Sequence, residues 1–355
     1  MAKAVAETHT DPAGRMKPEP SSPADSLLCG DGLRFWDEYP RVGQPAAADG
    51  AGGDPVLLGI DLGGTKTAMA VTDLRGLPLA RSEMPTHAAA GVPGLIHRVA
   101  QAGRALLDRV HAAAPAAVAA VSPGVLLEDR VLLAPNNPGW DSLGLARELR
   151  EAFGTELVAV DNDVKAAARA EARWGRLAGA ATGIFLNLGT GLGFAAVVNG
   201  EVLRGAHDAA GEIGYQLTGH PGERALAEGG APLEEIAGGR GIGERASALL
   251  GRPVTTAEAF AVARSEPKVG QLLSEALAVL GRHVANLAVA FDPAVIAVGG
   301  GMSGSASAVF PAMREQLDRA VPFPPRLEVA RFARDGSLAG AVLLACEAVS
   351  AGRRG

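Results

Sequence analysis

The sequence predicts an α/β protein built from two related lobes around a cleft. From residue 55 onward, apolar strand candidates alternate with segments of helical periodicity. Two glycine-rich hairpins, at 60–65 and 186–191, echo each other, and each opens a series of strands and helices. The chain has 355 residues, 48% of them apolar, which is enough for two hydrophobic cores.

Charge and composition exclude several classes of function. A net charge of −6 argues against general binding to nucleic acid or to a membrane surface. We find no N-terminal signal pattern and no apolar run near 18 residues, so a cytoplasmic protein is expected. Cys29 and Cys346 are the only cysteines, which leaves no disulfide framework and no thiolate metal site. Residues 1–54 are rich in Ala, Pro, Gly and Ser and predict a disordered, low-complexity tail.

The first lobe is expected at residues 55–163. Its apolar runs bounded by turn residues predict strands, and Leu95, Val99 and Leu106 recur at helical spacing. The expected elements are a hairpin over 56–71, strands over 77–84, 116–121 and 157–160, helices over 91–112 and 141–153, and a hairpin-like stretch ending at 134.

The second lobe is expected at residues 164–335. A Gly-rich stretch, 205–243, interrupts it and carries several glutamates. Residues 336–355 are predicted to form a C-terminal helix that packs back on the first lobe. The other expected elements are helices over 164–174, 242–250, 256–264, 267–290 and 307–320, a hairpin over 182–198, and strands over 294–298 and 327–331.

Three glycine turns, at 63–65, 189–193 and 299–301, each follow an apolar strand. Glycine lets the backbone approach a ligand closely, so such turns can point N–H groups at phosphates. Asp61 ends the first of these strands and could hold a metal ion through water. Together the turns favour a nucleotide held between two lobes. The alternative is three ordinary turns in a chain with 47 glycines.

The segment Asp161-Asn162-Asp163 stands where a strand is expected to meet a helix. Its polar side chains could simply cap that helix. The functional interpretation makes Asp163 the base that accepts a proton from a substrate hydroxyl, with Asn162 holding a neighbouring hydroxyl. Lys165 follows two residues later, and its helical position predicts a solvated side chain.

Six motifs, in their order along the chain, resemble the ROK family of repressors, open reading frames and sugar kinases. They are D-L-G-G-T-K, A-P-N-N-P-G-W, D-N-D-V-K-A-A-A-R-A-E, L-G-T-G-L-G, A-A-G-E-I-G-Y and V-G-G-G. The resemblance spans about residues 56 to 347. It implies the duplicated actin/hexokinase-like (ribonuclease H-like) ATPase fold, with ATP and Mg²⁺ in the cleft and Asp163 as the catalytic base.

The resemblance also assigns binding residues. Phosphates are expected at Asp61, Gly63, Gly64, Thr65, Lys66, Gly189, Thr190, Gly191 and Gly193, and the adenosine near Gly299, Gly300 and Gly301. Sugar hydroxyls are expected at Gly124, Val125, Asn136, Asn162, Asp163, Glu212 and Glu234.

The chain departs from the family pattern at the expected zinc site. The usual G-E-x-G-H reads G-E-I-G-Y here, so Tyr215 replaces a zinc-binding, sugar-contacting His. The Cys-rich zinc loop is also missing, and Pro232 stands where its last Cys would be. Losing the His and the cysteines together predicts a sub-branch without zinc, in which Tyr215 hydrogen-bonds a sugar hydroxyl or packs in the loop.

These observations predict an ATP-dependent kinase that phosphorylates a hexose, similar to glucose, or an N-acetylhexosamine, at the 6-hydroxyl. The family resemblance implies a homodimer. Polyphosphate as donor remains a variant of this hypothesis. Two alternatives from other classes are a sugar-sensing transcriptional regulator and a sugar-binding protein without turnover. The short Pro/Gly-rich tail and the negative net charge disfavour the regulator.

Overall fold

The computed structural model describes residues 54–87, 91–134 and 139–352. A five-stranded sheet forms the framework of the first lobe. Its strands are β1 (Leu57–Leu62), β2 (Lys66–Thr72), β3 (Pro78–Pro85), β4 (Ala117–Ser122) and β7 (Val158–Asn162). They are ordered β3-β2-β1-β4-β7, with β1, β4 and β7 parallel to one another. A small hairpin of β5 (Val125–Leu126) and β6 (Val131–Leu132) follows β4.

The second sheet repeats this plan. Its strands are β8 (Thr182–Leu188), β9 (Leu192–Val198), β10 (Glu201–Val202), β11 (Val295–Gly299) and β12 (Arg326–Val329). The order β10-β9-β8-β11-β12 has two antiparallel pairings followed by two parallel ones, as in the first sheet. The predicted duplicated α/β architecture is therefore confirmed, and the two aligned hairpins are β1–β2 and β8–β9.

Helices cover both faces of the sheets. They are α1 (Gly91–Arg109), α2 (Leu145–Phe153), α3 (Asp163–Trp174), α4 (Pro232–Ala237), α5 (Gly239–Leu250), α6 (Thr256–Val262), α7 (Pro267–Phe291), α8 (Ala306–Ala320) and α9 (Gly336–Gly352). Because successive strand residues point to opposite faces, Leu58 and Ile60 pack with α1 and α2, whereas Leu57 packs with α9. Strands covered on both faces need apolar residues at nearly every position, which explains the unbroken apolar run of β4.

Helix α3 lies between the two sheets. Ala166 and Ala170 belong to the apolar cluster of the first sheet and α9, whereas Ala167 and Ala168 belong to a cluster of the second sheet. Alanine suits a helix that is packed on both sides, because a larger side chain would keep the neighbouring elements apart. The C-terminal helix α9 packs against α3, β1 and β4.

Three elements differ from the prediction. Helix α2 begins at Leu145 rather than at Asp141, because Trp140–Ser142 forms a 3-10 turn and Leu143 is extended. Strand β10 and helix α4 were not predicted, because both are short. β10 precedes the Gly-rich stretch, and α4 lies within it.

Helix α7 is long and apolar enough to cross a membrane by length and composition, but its buried residues, among them Leu280, form the core of the second lobe.

Candidate active site

A cavity of about 500 Å³ lies at the carboxyl ends of the parallel strands of both sheets. Both lobes line it. Among the predicted residues it brings together are Asp61, Gly63, Gly64, Thr65, Lys66, Gly124, Asn162, Asp163, Gly189, Thr190, Gly191, Gly193, Glu212, Tyr215, Glu234 and Gly301. Residues that are more than 170 positions apart in the chain therefore face one space.

Asp163 is the first residue of α3 and lines the cavity. Asn162 caps the helix, because its side-chain oxygen accepts hydrogen bonds from the backbone N–H groups of Val164 and Lys165, each at 3.0 Å. The side-chain amide of Asn162 also donates to the carbonyl of Gly124 at 3.0 Å. The hydrogen bonds that cap α3 therefore also orient the backbone of Asp163 at the cavity.

The carboxyl group of Asp163 is poised to exchange a proton near neutral pH. Burial raises the pKa of Asp163 to about 6, although the N–H of Val164 and the charge of Lys165 oppose this rise. Burial also raises the pKa of Asp61 to about 7, and the charge of Asp163 adds to that effect while Lys66 opposes it. Because the charge of Asp163 raises the cost of ionising Asp61, a divalent cation would stabilise the ionised carboxylates, and the oxygen atoms of Asp61 fit the predicted Mg²⁺.

The first two glycine turns are held in place at the cavity wall. In the first turn, the Thr86 hydroxyl donates to the carbonyl of Gly63 at 2.6 Å. In the second, the carbonyls of Gly189 and Thr190 accept the N–H groups of residues 239 and 240 at the start of α5, each at 3.0 Å. A Cβ on Gly191 would lie 2.4 Å from Oε2 of Glu234, so a larger residue here would have to displace the Glu234 carboxylate.

The third turn contributes less to the cavity than predicted. Of its glycines only Gly301 lines the cavity. Gly299 ends β11, where a Cβ would meet the Phe185 ring at 2.7 Å, and Gly300 has a φ of 85° and packs on the carbonyl of Leu188. These two glycines allow close packing beneath the site.

The expected sugar side gathers Glu212, Tyr215 and Glu234. Burial raises the pKa of Glu212 to about 7 against the opposing charge of Lys165. Glu234 accepts the N–H of Leu192 at 3.0 Å. Burial and the charges of Glu212 and Glu234 raise the pKa of Tyr215. Its hydroxyl therefore stays protonated and can donate a hydrogen bond.

One predicted sugar contact stands apart from this group. Val125 lies in β5, paired with Leu132, and is buried outside the cavity lining. Asn136 falls outside the described residues. Within the described ranges, no three His, Cys, Asp or Glu side chains are grouped so that they could hold a metal ion.

The structure contradicts the predicted solvent exposure of Lys165. This side chain is 1% exposed, because α3 is covered on both sides and has no solvated face at that position. Asn187 and Arg240 also line the cavity and were not predicted. Asn187 could have been found from the hairpin echo, where it aligns with Asp61. We find no sequence signal for Arg240.

Fold and site together define a class of protein: a duplicated α/β chain with glycine turns and buried carboxylates around one cleft. The model of the ROK family matches residues 57–348. The chain belongs to the ROK family, which confirms the resemblance seen in its motifs.

Named relatives agree with this membership. The chain is 31% identical over 292 residues to the N-acetylmannosamine kinase of Escherichia fergusonii, a match that covers 81% of this chain and 97% of the relative. It is 29% identical over 326 residues to the bifunctional enzyme NanE/NanK of Brucella melitensis. That match covers 91% of this chain but only 60% of the bifunctional enzyme, so the chain spans less than two thirds of that relative's length.

Solved structures share the fold. The ROK hexokinase from Thermus thermophilus superposes with a TM-score of 0.68 at 33% identity, covering 83% of this chain and 99% of the other. A ROK family glucokinase from Streptomyces griseus, in complex with glucose and AMPPNP, superposes with a TM-score of 0.69 at 27% identity. That superposition covers 82% of this chain and 99% of the other.

Proposed function

We propose that the chain is an ATP-dependent sugar kinase that phosphorylates a hexose or an N-acetylhexosamine at the 6-hydroxyl. Its reaction class is that of its named relatives, in which a phosphoryl group passes to an alcohol. One observation carries the proposal: Asp163, at the start of a capped helix, shares a cavity with the two phosphate-type turns. The kinase that is 31% identical and the glucokinase solved with glucose and AMPPNP support the substrate classes.

The roles of the side chains follow from their chemistry. With a pKa of about 6, Asp163 is mostly ionised at pH 7 and can accept the proton of the attacking hydroxyl. Asn162, Glu212 and Glu234 offer oxygen and amide groups for the remaining hydroxyls. The turns at 63–66 and 189–191 offer backbone N–H groups for the phosphates. Mg²⁺, held by Asp61 through water, would neutralise part of the phosphate charge.

Several further properties belong to the same proposal. The enzyme is cytoplasmic, uses no zinc and works as a homodimer without nucleic acid or membrane. The donor is ATP, and polyphosphate as donor is a variant of the same proposal. The alternative is a ROK-type regulator or binding protein that takes up the sugar without turnover.

The test is an ADP-release assay over a panel of hexoses and N-acetylhexosamines, run in parallel on Asp163→Asn. We expect turnover of at least one sugar, and a loss of about 10²- to 10⁴-fold in kcat in the variant, the usual contribution of a general base. Asp129→Asn is a matched control, since this carboxylate is exposed on the β5–β6 hairpin. Tight sugar binding without ADP release from the parent would favour the binding protein instead.

A further inference from the structure

The buried lysine of α3 is not explained by the roles assigned so far. Lys165 is 1% exposed, and burying an ammonium group is costly unless polar partners compensate. Its Nζ donates to the backbone carbonyl of Asp208 at 2.8 Å. Asp208 belongs to the segment between β10 and Glu212, which we call the 203–211 loop. Lys165 thus ties this loop to the helix that Asp163 begins.

A second basic residue fastens the same loop to the first lobe. Arg204 forms two hydrogen bonds with the carboxylate of Asp161, which is 2% exposed on β7, and the Nη1 bond is 2.9 Å long. The same guanidinium group reaches Oδ1 of Asp208 at 2.9 Å. The loop follows a strand of the second sheet, so these contacts join it to both lobes.

The loop leads directly into Glu212. Its last residue, Gly211, accepts the N–H of Phe194 on β9 at 3.0 Å. Gly211 has a φ of 98°, and a Cβ there would lie 1.9 Å from the carbonyl oxygen of Phe194. The backbone before Glu212 is therefore held by β9 on one side and by Lys165 on the other.

The charge of Lys165 acts on two acids of the proposed site. The other charged groups of this region lie on three elements. They are Asp163 on α3, Asp161 on β7, and Arg204, Asp208 and Glu212 in or beside the 203–211 loop. The positive charge of Lys165 lowers the pKa of both Asp163 and Glu212. One ammonium group thus acts on the proposed base and on the proposed sugar ligand.

We propose that Lys165 is a positioning residue that holds Glu212 at a fixed place relative to Asp163, so that the sugar is bound with its reacting hydroxyl at the base. The inference rests on the proposed sugar-kinase function. Lys165 acts through the 203–211 loop and does not touch the sugar. The phosphate turns are held by other contacts, from Thr86 and from the start of α5. The effect of Lys165 should therefore fall on the sugar and spare ATP.

The test compares Lys165→Met and Lys165→Arg with the parent and with Arg173→Met. Arg173 is an exposed cation on the last turn of the same helix, so its loss matches the change in charge without touching the loop. The measurements are KM for sugar and for ATP, kcat, and the sugar Kd by calorimetry. We expect Lys165→Met to raise the sugar KM and Kd about tenfold or more with the ATP KM nearly unchanged. Lys165→Arg should keep most of the parent's affinity for the sugar, and Arg173→Met should have the same KM and Kd values as the parent.

An unchanged sugar Kd in Lys165→Met, or equal increases in both KM values, overturns the inference. Thermal unfolding shows whether each variant is folded. If Lys165→Met does not fold, Lys165→Gln, which keeps a donor, is measured in its place, and failure of both to fold would make Lys165 a support of the fold alone. Absence of turnover in the parent overturns the proposed function, whereas the sugar Kd still decides the role of Lys165.

Discussion

The catalytic efficiency of the proposed kinase should fall by at least about tenfold between pH 7 and pH 5. With a pKa of about 6, Asp163 is about 90% ionised at pH 7 and about 10% ionised at pH 5. Only the ionised form can accept the hydroxyl proton. Burial raises the pKa of Asp163 above its ordinary value of 3.8, so an exposed aspartate in the same role would lose little activity over this range.

The assay is kcat/KM for the sugar between pH 5 and 8.5, because this ratio reports the pKa values of the free enzyme. Saturating Mg²⁺ keeps Asp61 ionised, and thermal unfolding at each pH shows that the protein stays folded. Glu212 has a pKa of about 7 and adds to the acid limb, so Glu212→Gln should move the midpoint towards 6. A flat profile down to pH 5, or a limb centred near pH 4, would refute the assignment of a buried base.

Three further predictions concern packing and metal content. Gly191→Ala should lower kcat/KM by tenfold or more, because its Cβ must displace the Glu234 carboxylate from 2.4 Å, and steady-state kinetics measure this. Gly340→Ala should lower the free energy of unfolding by about 1–3 kcal/mol in urea denaturation, since its Cβ would lie 2.3 Å from backbone atoms of Ala166. Elemental analysis should find no stoichiometric zinc; its presence would contradict the interpretation of Tyr215.

Much of the fold could be predicted because its signals are local. The apolar runs that became β1, β4, β8 and β11 need only their own residues to be recognised, and glycine turns separate them. Asn162 and Asp163 were found because one short segment both ends a strand and caps a helix. Sequence periodicity gives no prediction in the Gly-rich stretch, because short elements such as α4 have too few residues to show a helical repeat.

The prediction for Lys165 failed for a reason that lies outside its own helix. Helical spacing predicts that Lys165 and Asp163 point to different sides of the helix, but it does not predict which elements cover each side. In this fold, the first sheet and α9 cover one side of α3, and the second sheet covers the other. A polar side chain on such a helix must find its partner inside the protein.

The packing of α3 between the two sheets also explains why this helix makes several of the contacts at the candidate site. The helix begins at the cavity with Asp163, contacts the 203–211 loop through Lys165, and ends near the buried carboxylate of Glu171. Glu171 accepts the N–H groups of Phe332 and Arg176, at 2.8 and 2.7 Å, and so joins α3 to the segment that leads into α9. A movement of one lobe against the other must therefore shift α3 against at least one of them. Under the proposed function, the distance between Asp163 and Glu212 then depends on the loop contact of Lys165, which moves with α3.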